Sequence, residues 1–176
     1  MTSPVYRHCP QCATGLATVE ALEDGGLKSR LRCPACGWTH WNNPTPVLAA
    51  IVQLPDGRVL LARNAAWTNR LFALITGFME AGETPEEGIA REVNEETGLT
   101  VDALQLIGVH EFLRMNQVII TYHARCHGEV RLSPELAEYK LFALQDIRCW
   151  RAGTGLALAQ WLRSQGLEPS FIDLPT

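Results

Sequence analysis

The sequence contains no long apolar segment and no excess of positive charge. Its longest unbroken apolar run, residues 47–52, is far shorter than the roughly 20 residues that a membrane-spanning helix needs. Residues 1–20 lack the apolar core of a secretion signal. With 15 basic and 19 acidic residues, the formal net charge is -4, so no overall positive field attracts nucleic acid or an anionic membrane. We therefore expect a cytoplasmic protein with no membrane partner, and nucleic-acid binding only through a local patch.

Internal repeats and low-complexity tracts are also missing, which argues against a solenoid or a disordered chain. Apolar residues make up 47% of the 176 residues, as in ordinary globular proteins. This length suits one modest domain, or a small module followed by one core domain.

Four of the six cysteines form two C-P-x-C pairs near the N-terminus. The pairs are Cys9 with Cys12 and Cys33 with Cys36, separated by 20 residues. Because no secretion signal is present, disulfides are the weaker interpretation, and four thiolates at this spacing favour a structural, tetrahedral Zn²⁺ site. A hairpin turn signal at residues 23–26 lies between the pairs. We predict a zinc ribbon over residues 1–43, in preference to a redox-active cysteine pair.

A turn-rich segment at residues 41–46 marks a boundary, after which a second domain is expected over residues 44–176. Its periodicity predicts strands and two helices, which suggests an α/β fold with the helices on opposite faces of a sheet. The predicted strands are residues 47–54, 58–63, 71–78, 101–113, 117–126 and 140–144, and the predicted helices are residues 85–97 and 154–165.

The first of these helices has signals at both ends and an acidic stripe along one side. Thr84 and Pro85 suit its start, and Gly98 suits a left-handed stop. Glu92, Glu95 and Glu96 are spaced by three and four residues, so they share an arc of the helix surface. A hard divalent cation such as Mg²⁺ or Mn²⁺ offsets the repulsion among three carboxylates. Taken alone, the stripe fits a metal site and a solvated acidic face equally well.

The whole stretch GFMEAGETPEEGIAREVNEETGL at residues 77–99 resembles the Nudix box at every defined position. The resemblance implies an α/β/α sandwich with a mixed sheet and hydrolysis of a nucleoside diphosphate linked to another group. It also implies that Glu92, Glu95 and Glu96 bind divalent metal, together with the carbonyl of Gly77. Glu83 and Arg91 resemble the pair that braces the loop against the helix. Either a box glutamate or a carboxylate from another loop is expected to act as the general base.

A four-cysteine ribbon before such a domain is similar to the NADH pyrophosphatase branch of the family. The resemblance makes Glu138 a further metal ligand and candidate base, and it implies a homodimer. The span 108–116 lacks the S-Q-P-W-P-F-P-x-S stretch of that branch, so FAD, ADP-ribose and NADH are expected as substrates without an order among them. Arg63 and Arg70 are candidates for phosphate contacts or solvated cations, and Phe72 is a candidate for base stacking or for the core.

Two other functions stay open. One is removal of an NAD-like cap from RNA, with the backbone touched by ribbon cations, which are Arg7, Lys28, Arg30 and Arg32. The other is a non-catalytic module that senses a nucleotide. The intact metal glutamates favour catalysis over the sensor.

Overall fold

The structure is a computed structural model that describes residues 6–68 and 70–173. The residues before Thr45 and those from Thr45 onward form two separate compact units. The division lies one residue from the boundary expected from the turn-rich segment. No helix in the described ranges is long and apolar enough to cross a membrane.

The first unit is a three-stranded antiparallel ribbon. Its strands are β1 (Ala17–Glu23), β2 (Gly26–Arg32) and β3 (Thr39–His40). The first two strands pair from Ala17 with Arg32 to Glu23 with Gly26, across the predicted turn. Gly26 has a φ of 100°, a left-handed conformation that a residue with a Cβ rarely adopts. The two cysteine pairs flank this hairpin in sequence.

The second unit is built on a mixed six-stranded sheet with one helix on each face. In chain order its main elements are β4 (Thr45–Gln53), β5 (Val59–Asn64), β6 (Ile75–Phe78), α1 (Pro85–Thr97), β7 (Thr100–Phe112), β8 (Gln117–His127), β9 (Leu136–Phe142) and α2 (Thr154–Ser164). The strand order is β7-β8-β4-β5-β9, and β6 pairs with β4. Only β4 and β8 are parallel among these pairs. The predicted α/β/α sandwich with a mixed sheet is thus confirmed.

The central strand β4 explains the layering, because it is buried on both faces. Leu48 and Ala50 face a cluster that includes Ile89 of α1. Val47 and Ile51 face the opposite cluster, which includes Trp161 of α2. A run of consecutive apolar residues is what a strand covered on both sides requires. We call these the α1 face and the α2 face of the sheet.

The helix α1 begins and ends where the sequence predicts. The Thr84 hydroxyl accepts the N–H of Glu87, and the Glu87 carboxylate accepts the N–H of Thr84, which completes a capping box. Gly98 closes the helix with a φ of 70°. The box helix is therefore fixed at both ends by local sequence.

Two strand predictions need correction. Residues 71–78 were expected to form one strand, but β6 begins only at Ile75. The segment crosses from β5 to β4, so it keeps a single bridge, Ala62 with Ala73, before it pairs with β4. The predicted strand 140–144 is instead β9, Leu136–Phe142. The sequence analysis also missed a short parallel pair, β10 (Arg148–Trp150) with β11 (Ser170–Ile172).

Candidate metal and substrate site

The four ribbon cysteines converge on one point. Their sulfur atoms all lie within 4.8 Å of one another, and in the described part of the chain no other group of three or more His, Cys, Asp or Glu residues does so. The Sγ atoms of Cys9 and Cys36 are 3.5 Å apart, as are those of Cys12 and Cys33. Thiolates at about 2.3 Å from a tetrahedral zinc ion lie about 3.8 Å from one another. The donor set and its spacing therefore fit Zn²⁺, and all four thiols are free of disulfides.

Both cysteine pairs sit in turns of the same form. The carbonyl of Cys9 accepts the N–H of Ala13, and the carbonyl of Cys33 accepts the N–H of Gly37. Ala13 and Gly37 have φ values of 58° and 78°, so each turn closes with a left-handed residue. Hydrogen bonds from Thr14 lower the pKa of Cys12 to about 6, which favours the thiolate that binds metal.

In the second unit, α1 presents its three acidic side chains at different depths. The Glu92 side chain is 13% exposed and that of Glu95 is 59% exposed, while Glu96 is buried. Glu92 lies directly against Gly77 of β6, and a Cβ at position 77 would overlap its carboxylate. Glycine is therefore required for the close approach of this strand to the helix, and it brings the Gly77 backbone beside the carboxylates.

Arg91 ties the loop before α1 to the helix. Its guanidinium donates to both carboxylate oxygens of Glu83, at 3.0 and 3.1 Å. It also donates to Glu92 at 2.8 Å, to Glu95 at 3.1 Å and to the carbonyl of Phe78 at 3.3 Å. Hydrogen bonds from Arg91, followed by that from the N–H of Glu80, lower the pKa of Glu83. The Arg91 guanidinium thus fixes the loop before α1, the helix itself and the end of β6 relative to one another.

Glu96 is the carboxylate whose charge is least compensated. It is 9% exposed, and no described side chain donates a hydrogen bond to it or forms an ion pair with it. Burial raises its pKa to about 7, and the charges of Glu92, Glu135 and Glu95 add to the effect. Burial also raises the pKa of Glu92, against the opposing effect of Arg91. A buried carboxylate among other carboxylates is the chemistry that a divalent cation stabilises.

Glu135 is a residue that the sequence analysis missed. It lies in the loop before β9, whose backbone docks on the end of α1 through a bond from the Ser133 N–H to the Glu96 carbonyl. The proximity of its charge raises the pKa of Glu96. The only indication of it in the sequence is that it is an acidic residue three positions before Glu138, the residue predicted as a ligand.

Glu138 is not among the charges that raise the pKa of Glu96. It pairs in register with Arg63, at 3.7 Å between side chains, and lies 3.7 Å from Lys140. Arg63 lies two residues after the α2-face residue Leu61 along β5, so strand periodicity places Arg63 and its cross-strand partner Glu138 on the α2 face. Of the remaining two candidates, Phe72 packs at the α2-face core and Arg70 is exposed.

An aromatic side chain and a cavity lie at the same end of the sheet as Gly77. Phe78 is 59% exposed although it directly follows Gly77. Phe78 pairs with Val47 of β4, and Val47 pairs in turn with Ile119 of β8, which lies on the α2 face. Phe78 and Ile119 are thus two strand spacings apart, about 10 Å. Ile119 lines an open cavity of about 410 Å³. Its other lining groups include Phe112, Arg114 and the start of α2 at Gly153 and Thr154.

Comparison with known proteins gives matches over almost the whole chain. A profile described as the NUDIX domain matches residues 43–164, and one described as Nudix N-terminal, a zinc ribbon, matches residues 7–42. Proteins named NAD-capped RNA hydrolase NudC are 32% identical over 131 residues in Mycobacterium tuberculosis and 30% identical over 143 residues in Pseudomonas aeruginosa. These alignments cover 73% and 80% of this chain, but 40% and 49% of the relatives. The matched part of the chain therefore spans less than half the length of these relatives.

Solved structures show the same architecture. The crystal structure of a NUDIX hydrolase from Nitrosomonas europaea has a TM-score of 0.75 and 25% identity, and it covers 96% of this chain and 100% of that one. An ADP-ribose pyrophosphatase from Streptococcus suis has a TM-score of 0.57 at 20% identity, with coverage of 74% and 100%. The second likeness supports the fold alone.

Proposed function

The chain belongs to the Nudix family, as residues 77–99 predict, and we propose that it is a metal-dependent hydrolase of nucleoside diphosphate derivatives. It cleaves the pyrophosphate bond of a dinucleotide-like substrate such as FAD, NADH or ADP-ribose and releases AMP. The observation that carries this proposal is the buried, uncompensated Glu96 among the carboxylates of Glu92, Glu95 and Glu135.

Nudix enzymes use divalent metal, and here Mg²⁺ or Mn²⁺ is the expected ion. Glu92, Glu95, Glu96 and the Gly77 carbonyl hold it, and Glu135 completes the set from the neighbouring loop. Oxygen ligands and several negative charges suit these hard cations. When bound, the metal neutralises diphosphate charge and lowers the pKa of a coordinated water.

Arg91 and Glu83 are positioning residues in this proposal. The bidentate pair holds the loop after β6 against α1, which keeps Gly77 beside Glu92. Since Arg91 also donates to Glu92 and Glu95, it limits the repulsion between these carboxylates. Their geometry is thereby set before substrate arrives.

Substrate selection takes place at the sheet end next to the carboxylates. Phe78 offers an exposed aromatic surface on which a base stacks. The cavity beyond it, with an apolar floor and the cation of Arg114, accepts the group on the other side of the diphosphate. A nucleoside triphosphate lacks that second group and is the poorer substrate.

A second candidate function is removal of a dinucleotide cap from RNA. The relatives that carry the name NAD-capped RNA hydrolase favour it. The phosphate chemistry is the same in both cases, and only the group beyond the nucleotide differs. The homodimer and the cytoplasmic location expected from the sequence remain predictions.

A product screen tests the proposed function. FAD, NADH, NAD, ADP-ribose, a diadenosine polyphosphate, nucleoside triphosphates and a capped RNA are incubated with Mg²⁺ and then Mn²⁺, and products are separated by chromatography. AMP together with FMN or nicotinamide mononucleotide is the expected result. If every compound survives yet binds tightly with metal present, the sensor function replaces catalysis.

Matched variants then locate the metal ligands. Glu95→Gln and Glu135→Gln are expected to lower kcat at least 100-fold, since each removes an oxygen ligand charge. Glu138→Gln, three residues from Glu135 but paired with Arg63, is expected to stay within about 3-fold of the parent. The reverse order of effects would assign the ligand role to Glu138 instead.

A further inference from the structure

The two faces of the ribbon hairpin differ in chemistry. Side chains alternate along β1 and β2, so the residues at even positions of β2 lie on one face and those at odd positions on the other. One face carries the cations of β2, which are Lys28, Arg30 and Arg32, over small side chains of β1, which are Ala17, Val19 and Ala21. The opposite face carries exposed apolar residues, with Leu22 at 82% and Leu27 at 72% exposure. We call the first of these the cationic ribbon face.

An aromatic ring extends the cationic ribbon face. The Arg30 guanidinium lies 5.5 Å from the ring centroid of Trp41, and it donates to the Trp41 carbonyl at 3.1 Å. Trp41 is 55% exposed, so more than half of the residue's surface is open to a ligand. A fixed aromatic plane beside a guanidinium is a platform on which a nucleobase of any identity stacks.

The charge on this face is positive overall. Glu23 pairs with Arg30 at 2.8 Å and with Lys28 at 3.5 Å, which leaves an excess of cations. Among the described residues, Arg32 has no ion-pair partner. Successive cations of β2 are two positions apart along the strand, which places them roughly 7 Å from one another. Such a row follows a phosphate backbone, whereas a folded protein partner would be expected to use the apolar face.

From this juxtaposition we propose that the cationic ribbon face binds single-stranded RNA, with Trp41 stacking on a base and Arg32 contacting a phosphate. The inference rests on the second candidate function, in which the dinucleotide is the 5′ end of an RNA. It assigns the ribbon a role in substrate binding beyond its zinc site. The chemistry is tolerant of sequence, since a ring and backbone cations read no base edge.

Direct binding provides the first test, and it does not depend on catalysis. A fluorescently labelled ten-nucleotide single-stranded RNA is titrated with the full chain, without added Mg²⁺ or Mn²⁺, and its anisotropy is followed. Trp41→Ala is expected to weaken binding about 5- to 150-fold, the range for loss of one stacked base. Arg32→Gln is expected to weaken binding and to reduce the slope of log K against log salt by about 0.7. Leu27→Ala, on the opposite face of the same hairpin, serves as the matched control and stays within about 2-fold.

Zinc content and kinetics complete the test. One zinc per chain in all three variants shows that the ribbon is folded. KM for a dinucleotide-capped RNA is expected to rise in Trp41→Ala and Arg32→Gln, while KM and kcat for the free dinucleotide stay unchanged. RNA binding by both variants equal to that of the parent chain, or an equal loss in Leu27→Ala, would overturn the inference. Loss of dinucleotide cleavage in the parent chain refutes only the hydrolase proposal, because the binding arm is read independently.

Discussion

Replacing Glu96 by Gln should separate stability from function in this protein. The substitution keeps the shape of the side chain and removes a charge that is buried among three other carboxylates. Its pKa rises from the ordinary value of 4.5 to about 7 on folding. The folded protein therefore holds a proton at Glu96 over a pH range in which the unfolded chain has already lost it.

The sign of the effect follows from proton linkage. For a carboxyl group with a raised pKa, the stability contribution is fully present below pH 4.5, declines between 4.5 and 7, and is lost above 7. One pKa unit corresponds to about 1.4 kcal/mol, so a rise from 4.5 to about 7 destabilises the metal-free protein by at most about 3.5 kcal/mol at pH 8. Glu96→Gln should recover this free energy at pH 8 and change little at pH 4.

Urea unfolding in buffer free of Mg²⁺ and Mn²⁺ measures the difference. Tryptophan fluorescence includes the signal of Trp150 and Trp161, which are both buried on the α2 face and report on the second unit. Glu95→Gln is the control on the same helix, since its side chain is 59% exposed and a change below about 0.5 kcal/mol is expected. Added Mg²⁺ should stabilise the parent protein at pH 8 but not Glu96→Gln, which should also lose turnover. A Glu96→Gln protein that is less stable than the parent at pH 8, or a difference that does not vary with pH, would refute the electrostatic reasoning.

Three further predictions address Gly77 of β6, the exposed ring of Phe78 and the zinc site. Gly77→Ala forces its Cβ into the Glu92 carboxylate, so kcat should fall at least 10-fold. Gly15→Ala is the control, since its Cβ meets no atom within 4 Å and turnover should stay unchanged. A Gly77→Ala protein as active as the parent would show that the close approach of β6 to α1 is unimportant. Phe78→Ala should raise KM for a dinucleotide several-fold with kcat little changed, as measured by initial rates, and an unchanged KM would remove Phe78 from the substrate site. Cys33→Ser should lower zinc content and unfold the ribbon without directly abolishing cleavage of a free dinucleotide, which metal analysis and circular dichroism will check; full zinc retention would contradict the four-thiolate site.

Local sequence was sufficient for the parts of the protein whose geometry is set within one element. The start of α1 at Thr84, its end at Gly98 and the placing of Glu92, Glu95 and Glu96 on one arc all follow from helix geometry and capping. Each C-P-x-C turn followed in the same way, because its own backbone aims two thiolates in one direction. These features needed no knowledge of distant residues.

Contacts between distant segments were decided by the tertiary structure. The parallel pairing of β4 with β8 joins strands some 70 residues apart, and periodicity within each strand carries no information about its partner. The family resemblance pointed to Glu138 and not to Glu135. Strand register pairs Glu138 with Arg63, while the loop that docks on the end of α1 brings the charge of Glu135 close enough to raise the pKa of Glu96. The depth of Glu96, and with it the raised pKa, comes from packing by this loop and the sheet, because burial depends on what covers a side chain rather than on the residue itself.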